Sequence, residues 1–150
     1  MRRIMGLDVG DKRIGVAVSD PSLILASPLK TIDRKDDAFA VLEIKALLRQ
    51  YDVVTLVIGL PYLLDGTVGE QARKVMDFVA VIKEQADVET VLQDERLTSV
   101  TADRMLREAG KKRARLKNAI DAAAATVILQ SYLDDISQSG SISQEGTPSL

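Results

Sequence analysis

Residues 4 to 18, Ile4-Met5-Gly6-Leu7-Asp8-Val9-Gly10-Asp11-Lys12-Arg13-Ile14-Gly15-Val16-Ala17-Val18, decide the fold. Two apolar runs flank a Gly10-Asp11-Lys12 turn, so the stretch reads as a β-hairpin. Side chains alternate across a strand, which puts Asp8 on the face of Ile4 and Gly6 while Met5, Leu7 and Val9 point the other way. A carboxylate near the carboxyl end of an apolar strand is costly unless a cation or several hydrogen bonds compensate it. Gly6 and Gly10, on either side, would let a bulky group approach. The alternative is a turn acid, bonded locally or paired with Lys12.

Outward from the hairpin, a third strand is predicted from Ile24 to Thr31, where Pro28 fits only an edge or an irregular point. From Asp36 to Tyr51 two apolar rows recur at helical spacing, Phe39, Leu42, Ala46 and Val41, Ile44, Leu48, leaving Glu43, Lys45 and Arg49 for solvent. The β-branched run Val53 to Ile58, ending at Gly59, reads as a central strand covered on both faces. Thr67 and Glu70 form a possible capping box for a helix that continues through Val75, Phe78, Val79 and Ile82. A short strand follows from Val88 to Leu92, then a helix from Thr98 to Ala109 stopped by Gly110, and a last helix from Asn118 to Leu133. From Ser137 onward the chain is polar and aperiodic, so residues 137–150 read as a disordered tail on a domain of residues 1–136. The order βββαβαβαα predicts an α/β domain, a mixed five-stranded sheet with helices on its faces.

The 150 residues, 46% hydrophobic and 28% charged, suit one domain with a substantial core. The chain has no histidine and no cysteine, which excludes disulfides, thiolate zinc sites and Ser-His or Cys-His nucleophiles. Catalysis would rest on carboxylates, lysine, hydroxyls or bound metal. Asp8, Asp11, Lys12 and Arg13 interrupt the apolar stretch an export signal needs, so the expectation is a cytoplasmic protein without a membrane. The net charge of -2 conceals five cations in the seven residues from Lys111 to Lys117.

Two further places set acids against the pattern. Asp94 and Glu95 follow a strand, with Arg96 beside them; adjacent residues cannot face the same way in an extended chain, and Glu95 is preferred with Asp94 in reserve. The alternative is a loop whose acids sit near the positive end of the next helix. Asp121 is followed at four, seven, eight and eleven residues by Ala125, Ile128, Leu129 and Tyr132, an apolar stripe. Its alternative is helix-end electrostatics, with Asn118 as N-cap and Asp121 at the third position. Convergent carboxylates without histidine suit Mg²⁺ or Mn²⁺, and two such ions about 4 Å apart can drive phosphodiester hydrolysis. The basic segment would hold a nucleic-acid backbone or be a solvated loop. Gly59-Leu60-Pro61 and Asp65-Gly66-Thr67, ahead of a helix, could bind phosphate or form a turn and cap.

Leu7-Asp8-Val9-Gly10-Asp11-Lys12-Arg13-Ile14-Gly15-Val16-Ala17, Gly59-Leu60-Pro61-Tyr62-Leu63-Leu64-Asp65-Gly66, Asp94-Glu95-Arg96-Leu97-Thr98-Ser99 and Asp121-Ala122-Ala123-Ala124-Ala125 stand in an order and spacing that resemble the YqgF family, also called RuvX. The resemblance implies an RNase H-like fold related to the RuvC resolvases, and a bacterial nuclease that matures the 5′ end of pre-16S ribosomal RNA. Asp8, Glu95 and Asp121 match the family's catalytic acids, and Asp94 shares a motif with Glu95 as a further possible ligand. Lys12, Arg13 and Arg96 lie beside these acids, and with Lys111, Lys112, Arg113, Arg115 and Lys117 they are the expected nucleic-acid contacts. The chain departs from the family with Thr98-Ser99 for the commoner Ser-Thr, and with Tyr62-Leu63-Leu64 where an asparagine is common. A branched DNA substrate, a homodimer and association with ribosomal particles are further expectations from resemblance. Two other readings stay open. Asp8-Val9-Gly10 with Gly15 resembles a sugar-kinase phosphate loop, which needs a second domain, and a non-catalytic ribosome-assembly factor could bind RNA through the basic segment.

Overall fold

The computed structural model describes residues 2–60, 68–94 and 113–146, with side chains described from 122 to 138 in the last stretch. The hairpin forms as read: β1 (Arg3–Val9) pairs antiparallel with β2 (Arg13–Ser19), and Val9 lies opposite Ile14. β3 (Ala26–Asp33) follows, then α1 (Asp37–Gln50), β4 (Val53–Leu60), α2 (Glu70–Gln85), β5 (Glu89–Asp94) and α3 (Arg113–Gly146). The sheet order is β3-β2-β1-β4-β5, with β1, β4 and β5 parallel and β2 antiparallel to both its neighbours. This is the predicted mixed five-stranded α/β sheet. The helix expected from Thr98 to Ala109 lies outside the described residues.

β3 is an edge strand, and its pairing with β2 shifts register between Val16 and Ala17, where Lys30 and Pro28 are the successive partners. Pro28 therefore sits at an edge and beside an irregularity, the two places where its missing N–H costs little. β4 carries side chains into both layers: Leu56, Ile58 and Leu60 join the core under α1 and α2, and Val57 joins the core under α3.

Asp36 caps α1, its Oδ1 accepting from Phe39 N at 2.7 Å. The helix buries Ala40, Val41, Ile44, Leu47 and Leu48, while Phe39 and Leu42 are 42% and 60% exposed. Only one of the two apolar rows can meet the sheet, and the row containing Val41 and Ile44 does so. Lys30 of β3 and Glu43 of α1 pair at the rim of this contact, 3.1 Å apart. α2 buries Val75, Phe78, Val79 and Ile82 as expected, but its N-cap is Gly69 without a side-chain bond, so the Thr67 capping box is not its start.

α3 is longer than the predicted helix from Asn118 to Leu133 and continues through Gly146 rather than leaving helical geometry at Ser137. Its packing against the sheet rests on Ala122, Ala125, Ile128, Leu129 and Leu133, with Tyr132 and Ile136 only partly covered. The polar sequence from Ser137 onward carries no such apolar stripe. Each fully buried Ile or Leu on that face contributes about 1.5–3 kcal/mol.

Candidate active site

Strand register builds the surroundings of Asp8. Met5, Leu7 and Val9 enter the core beneath α1 and α2, whereas Ile4 enters the core beneath α3, so Asp8, two pleats beyond Ile4, is on the α3 face. Asp8 is partly buried. Its cross-strand partner on β2 is Gly15. On the other side Leu7 pairs with Ile58, which brings Asp8 level with Gly59, and Gly59 pairs with Gln93 on β5. Asp8 thus has a glycine on each neighbouring strand, and no Cβ stands beside its carboxylate. That leaves room for a hydrated ion or a phosphate oxygen. Sequence reading singled out Gly6 and Gly10 for this purpose and missed Gly15 and Gly59. The hairpin turn contained the signal for Gly15, because pairing Val9 with Ile14 obliges Asp8 to face it.

Gly6 has a different task. A Cβ there would lie 2.8 Å from Leu129 Cβ and 3.0 Å from Ala125 O, so α3 crosses β1 in direct contact with its backbone. Further along α3, Gln130 is pinned to the opposite end of the sheet: Ala26 N donates to its Oε1 at 2.9 Å, and its Nε2 donates to Ile24 O at 2.9 Å. The helix therefore runs from the Asp8 end toward the β2–β3 loop. Position 121 precedes Ala125 by about 6 Å of helix rise, and Asp8 lies about 6.6 Å beyond Gly6 along β1. Asn118 is inside the helix that begins at Arg113, so it is not an N-cap, and Asp121 is not in the first turn. The helix-end alternative for Asp121 falls with it.

Asp94 is the last residue of β5 rather than the first beyond it. On this strand Val91 packs under α3, and Gln93 Nε2 donates to Ser131 Oγ at 3.2 Å and Asp135 Oδ2 at 3.3 Å. Asp94 alternates to the row opposite Gln93. Glu95 and Arg96 lie outside the described residues, as do Lys111 and Lys112 and the Pro61 to Thr67 loop. Arg113, Arg115 and Lys117 belong to α3 rather than to a loop. Among the described residues no three acidic side chains converge; Glu95 and the side chain of Asp121 are not among them.

Lys12 is exposed in the β1–β2 turn, and Arg13 opens β2 opposite Asp33. The turn is held tightly: Gly10 N donates to Arg13 O at 2.9 Å and Arg34 N to Lys12 O at 2.9 Å. A side chain at Gly10 would meet Arg13 O at 2.7 Å. A cavity of about 450 Å³ opens beside this turn, lined by Asp11, Arg34, Lys35, Lys74 and Phe78 among others. It belongs to the α1 and α2 layer, away from the Asp8 face.

Among the described residues two groups have clearly shifted pKa values. Burial, and then the charge of Glu89, raises the Tyr132 phenol above its ordinary value; Glu89 itself accepts from Thr55 Oγ1 at 3.1 Å. Asp20 is lowered, chiefly because its carboxylate accepts from Leu25 N and Ile24 N, each at 2.8 Å. That carboxylate shapes the loop in which Leu23 takes a positive φ of 61°. Both groups lie off the Asp8 site.

Comparison with known proteins places this arrangement. The family model described as RuvX, Holliday junction resolvase, matches residues 2–135. A Clostridium botulinum (strain Hall) protein named "Putative pre-16S rRNA nuclease" is 46% identical over 136 residues, 91% of this chain and 99% of the relative. A Clostridium acetobutylicum protein of the same name is 47% identical over 134 residues, 89% of this chain and 99% of the relative. Among solved structures, Thermus thermophilus RuvC in complex with a Holliday junction substrate aligns with a TM-score of 0.59 at 14% identity, covering 91% of this chain and 97% of that one. The Fowlpox virus resolvase in complex with Holliday junction DNA gives 0.54 at 11%, covering 89% and 98%. At those identities the likeness is one of fold, the RNase H-like arrangement that the resemblance implied. With the family model covering nearly all of the described core and relatives near half-identical along their whole length, the chain belongs to the RuvX family of Holliday junction resolvases.

Proposed function

We propose that the protein is a divalent-cation-dependent endonuclease that hydrolyses phosphodiester bonds at the 5′ end of pre-16S ribosomal RNA, working in the cytoplasm on ribosomal precursor particles. Residues 1–136 carry the activity. The observation that supports this most is the placement of Asp8: partly buried at the carboxyl end of a parallel strand, with glycine on both sides and α3 bearing Asp121 pressed against Gly6. Carboxyl ends of parallel strands are where open α/β sheets bind ligands.

Asp8, Glu95 and Asp121 would hold the ion. The donor set fits a hard cation, since a chain without histidine or cysteine offers only oxygen there. Glu95 is preferred to Asp94 because Gln93 faces α3 and Asp94, the next residue of the strand, alternates to the opposite face. When bound, Mg²⁺ or Mn²⁺ supplies Lewis-acid polarisation of the scissile phosphate. The protein's own part is to present the carboxylates and to seat the nucleic-acid backbone. Lys12 and Arg13 grip it next to Asp8, and Arg96 and the Lys111 to Lys117 segment supply further cations for the backbone. Gly15 and Gly59 let the sugar-phosphate chain come close to Asp8.

A four-way DNA junction is the second reading, favoured by the family model's description and by the junction complexes of the fold neighbours. Junction resolution requires two strands to be cut and hence two copies of the chain. Cleavage of a pre-16S fragment and of a synthetic junction, in Mg²⁺ or Mn²⁺, with Asp8→Asn, Glu95→Gln and Asp121→Asn, separates the readings. RNA cleavage lost in all three variants with RNA binding retained supports the proposal. Cleavage of the junction alone supports the second. RNA binding without cleavage, unchanged in the variants, leaves a non-catalytic assembly factor.

A further inference from the structure

Arg34 uses its guanidinium on three groups that belong to different elements. Its Nη1 donates to Gly10 O at 2.8 Å, its Nε donates to Asp37 Oδ1 at 2.9 Å, and its plane lies over the Phe78 ring with 4.7 Å to the centroid. Its own backbone N–H donates to Lys12 O at 2.9 Å. The side chain is only 14% exposed, most of it covered by these partners, with the remainder facing the cavity beside the turn.

Gly10 and Lys12 belong to the turn between β1 and β2. The last ladder pair before that turn is Val9 with Ile14, and Asp8 is the residue before Val9. Beyond the ladder, the end of β1 is held by the Gly10–Arg13 bond and by Arg34. Arg34 is in turn fixed from below by Phe78 of α2 and from the side by Asp37 in the first turn of α1. A planar cation with a forked set of donors can satisfy a carbonyl, a carboxylate and a ring face together; a lysine cannot.

We infer that Arg34 is a positioning residue for the nuclease: it locks the β1–β2 turn from the α1 and α2 side of the sheet, and so sets the Asp8 carboxylate in register with the Lys12 and Arg13 grip on the substrate. The inference rests on the reading of Asp8 as a cation ligand. A displacement of about 1 Å at a catalytic group lowers the rate by up to about 100-fold, and a freed turn has that latitude.

The test measures kcat, KM and the Mg²⁺ concentration for half-maximal rate on a pre-16S fragment, together with RNA binding in Ca²⁺ and thermal midpoint. Arg34→Ala and Arg34→Lys are compared with Asp37→Ala, which removes the ion pair and spares the Gly10 bond. The expected result is kcat lowered 10- to 100-fold in Arg34→Ala and several-fold in Arg34→Lys, a raised Mg²⁺ requirement, KM and RNA binding within threefold of wild type, and near-normal kcat in Asp37→Ala. Should Arg34→Ala not fold, Arg34→Lys decides. A folded Arg34 variant with unchanged kcat and Mg²⁺ dependence overturns the inference. So does a loss of RNA binding as large as the loss of kcat, which would make Arg34 a substrate contact. Asp8→Asn in the same assay separates the two levels: if it cleaves normally, the reading of Asp8 fails whatever Arg34 does.

Discussion

Replacing Gly6 with alanine should damage this protein far more than one methyl group normally does. The added Cβ would sit 2.8 Å from Leu129 Cβ and 3.0 Å from Ala125 O, whereas carbon atoms in contact prefer about 3.5–4.0 Å. One obstacle is backbone and the other is the first side-chain atom, so no rotamer change can relieve either. The helix must lift by about 0.7–1 Å to restore normal contact. Overpacking of this kind costs about 1–3 kcal/mol, which for a chain of this size lowers the thermal midpoint by roughly 2–4 °C per kcal/mol. Asp121 belongs to the same helix, so on the proposed role of Asp8 and Asp121 as ligands of one ion the cleavage rate should fall as well, by up to about 100-fold. Leu129→Ala should not rescue Gly6→Ala, since it keeps the Cβ that clashes. Differential scanning fluorimetry and single-turnover cleavage of a pre-16S fragment measure both effects. A Gly6→Ala protein with wild-type midpoint and wild-type rate would refute the close crossing of α3 over β1.

Asp8→Asn should fold and should lose single-turnover cleavage by about 100-fold or more, beyond the usual loss for an outer-shell residue. A chain ending at Ile136 should keep full cleavage activity, since Ile136 is the last residue packed on the α3 core among the described residues; loss of activity would give residues 137–150 a direct role. Asp20 has a lowered pKa in the folded protein, so the hold it exerts on the loop from Asp20 to Leu25 is present above the ordinary carboxylate value of about 4 and is lost as pH falls through its lower folded value. Amide protection in that loop, taken relative to the intrinsic exchange rate at each pH, should fall on acidification in the wild type, while Asp20→Asn should show weak protection at every pH. Gln130→Ala should free the Ile24 and Ala26 backbone bonds and raise exchange there without changing cleavage.

The strands were legible because their signals are local. The hairpin from Ile4 to Val18, the run from Val53 to Ile58 and the awkward Pro28 each carry their own reading, and the sheet bears them out. Choices made by tertiary packing were not legible. Phe39 and Leu42 have as good a helical spacing as Val41 and Ile44, and only contact with the sheet decides which row is buried. The start of α3 was misplaced because Asn118 has the chemistry of a cap, whereas the helix already runs from Arg113. Around the candidate site, the parity of Asp8 along its strand was readable, but its two glycine neighbours are residues of other strands. Gly15 follows from the hairpin register, whereas Gly59 becomes a neighbour only through the β1–β4 crossover. Arg34 gave no signal at all, because its three partners lie far apart in the chain.

Anomalous scattering from a crystal soaked in Mn²⁺ tests the central claim most directly. The expected result is a manganese peak within coordination distance of Asp8, Glu95 and Asp121, on the α3 face between Gly15 and Gly59, that disappears in Asp8→Asn. A crystal saturated with Mn²⁺ that shows no peak at Asp8, or one held by Asp94 on the opposite face, would contradict it.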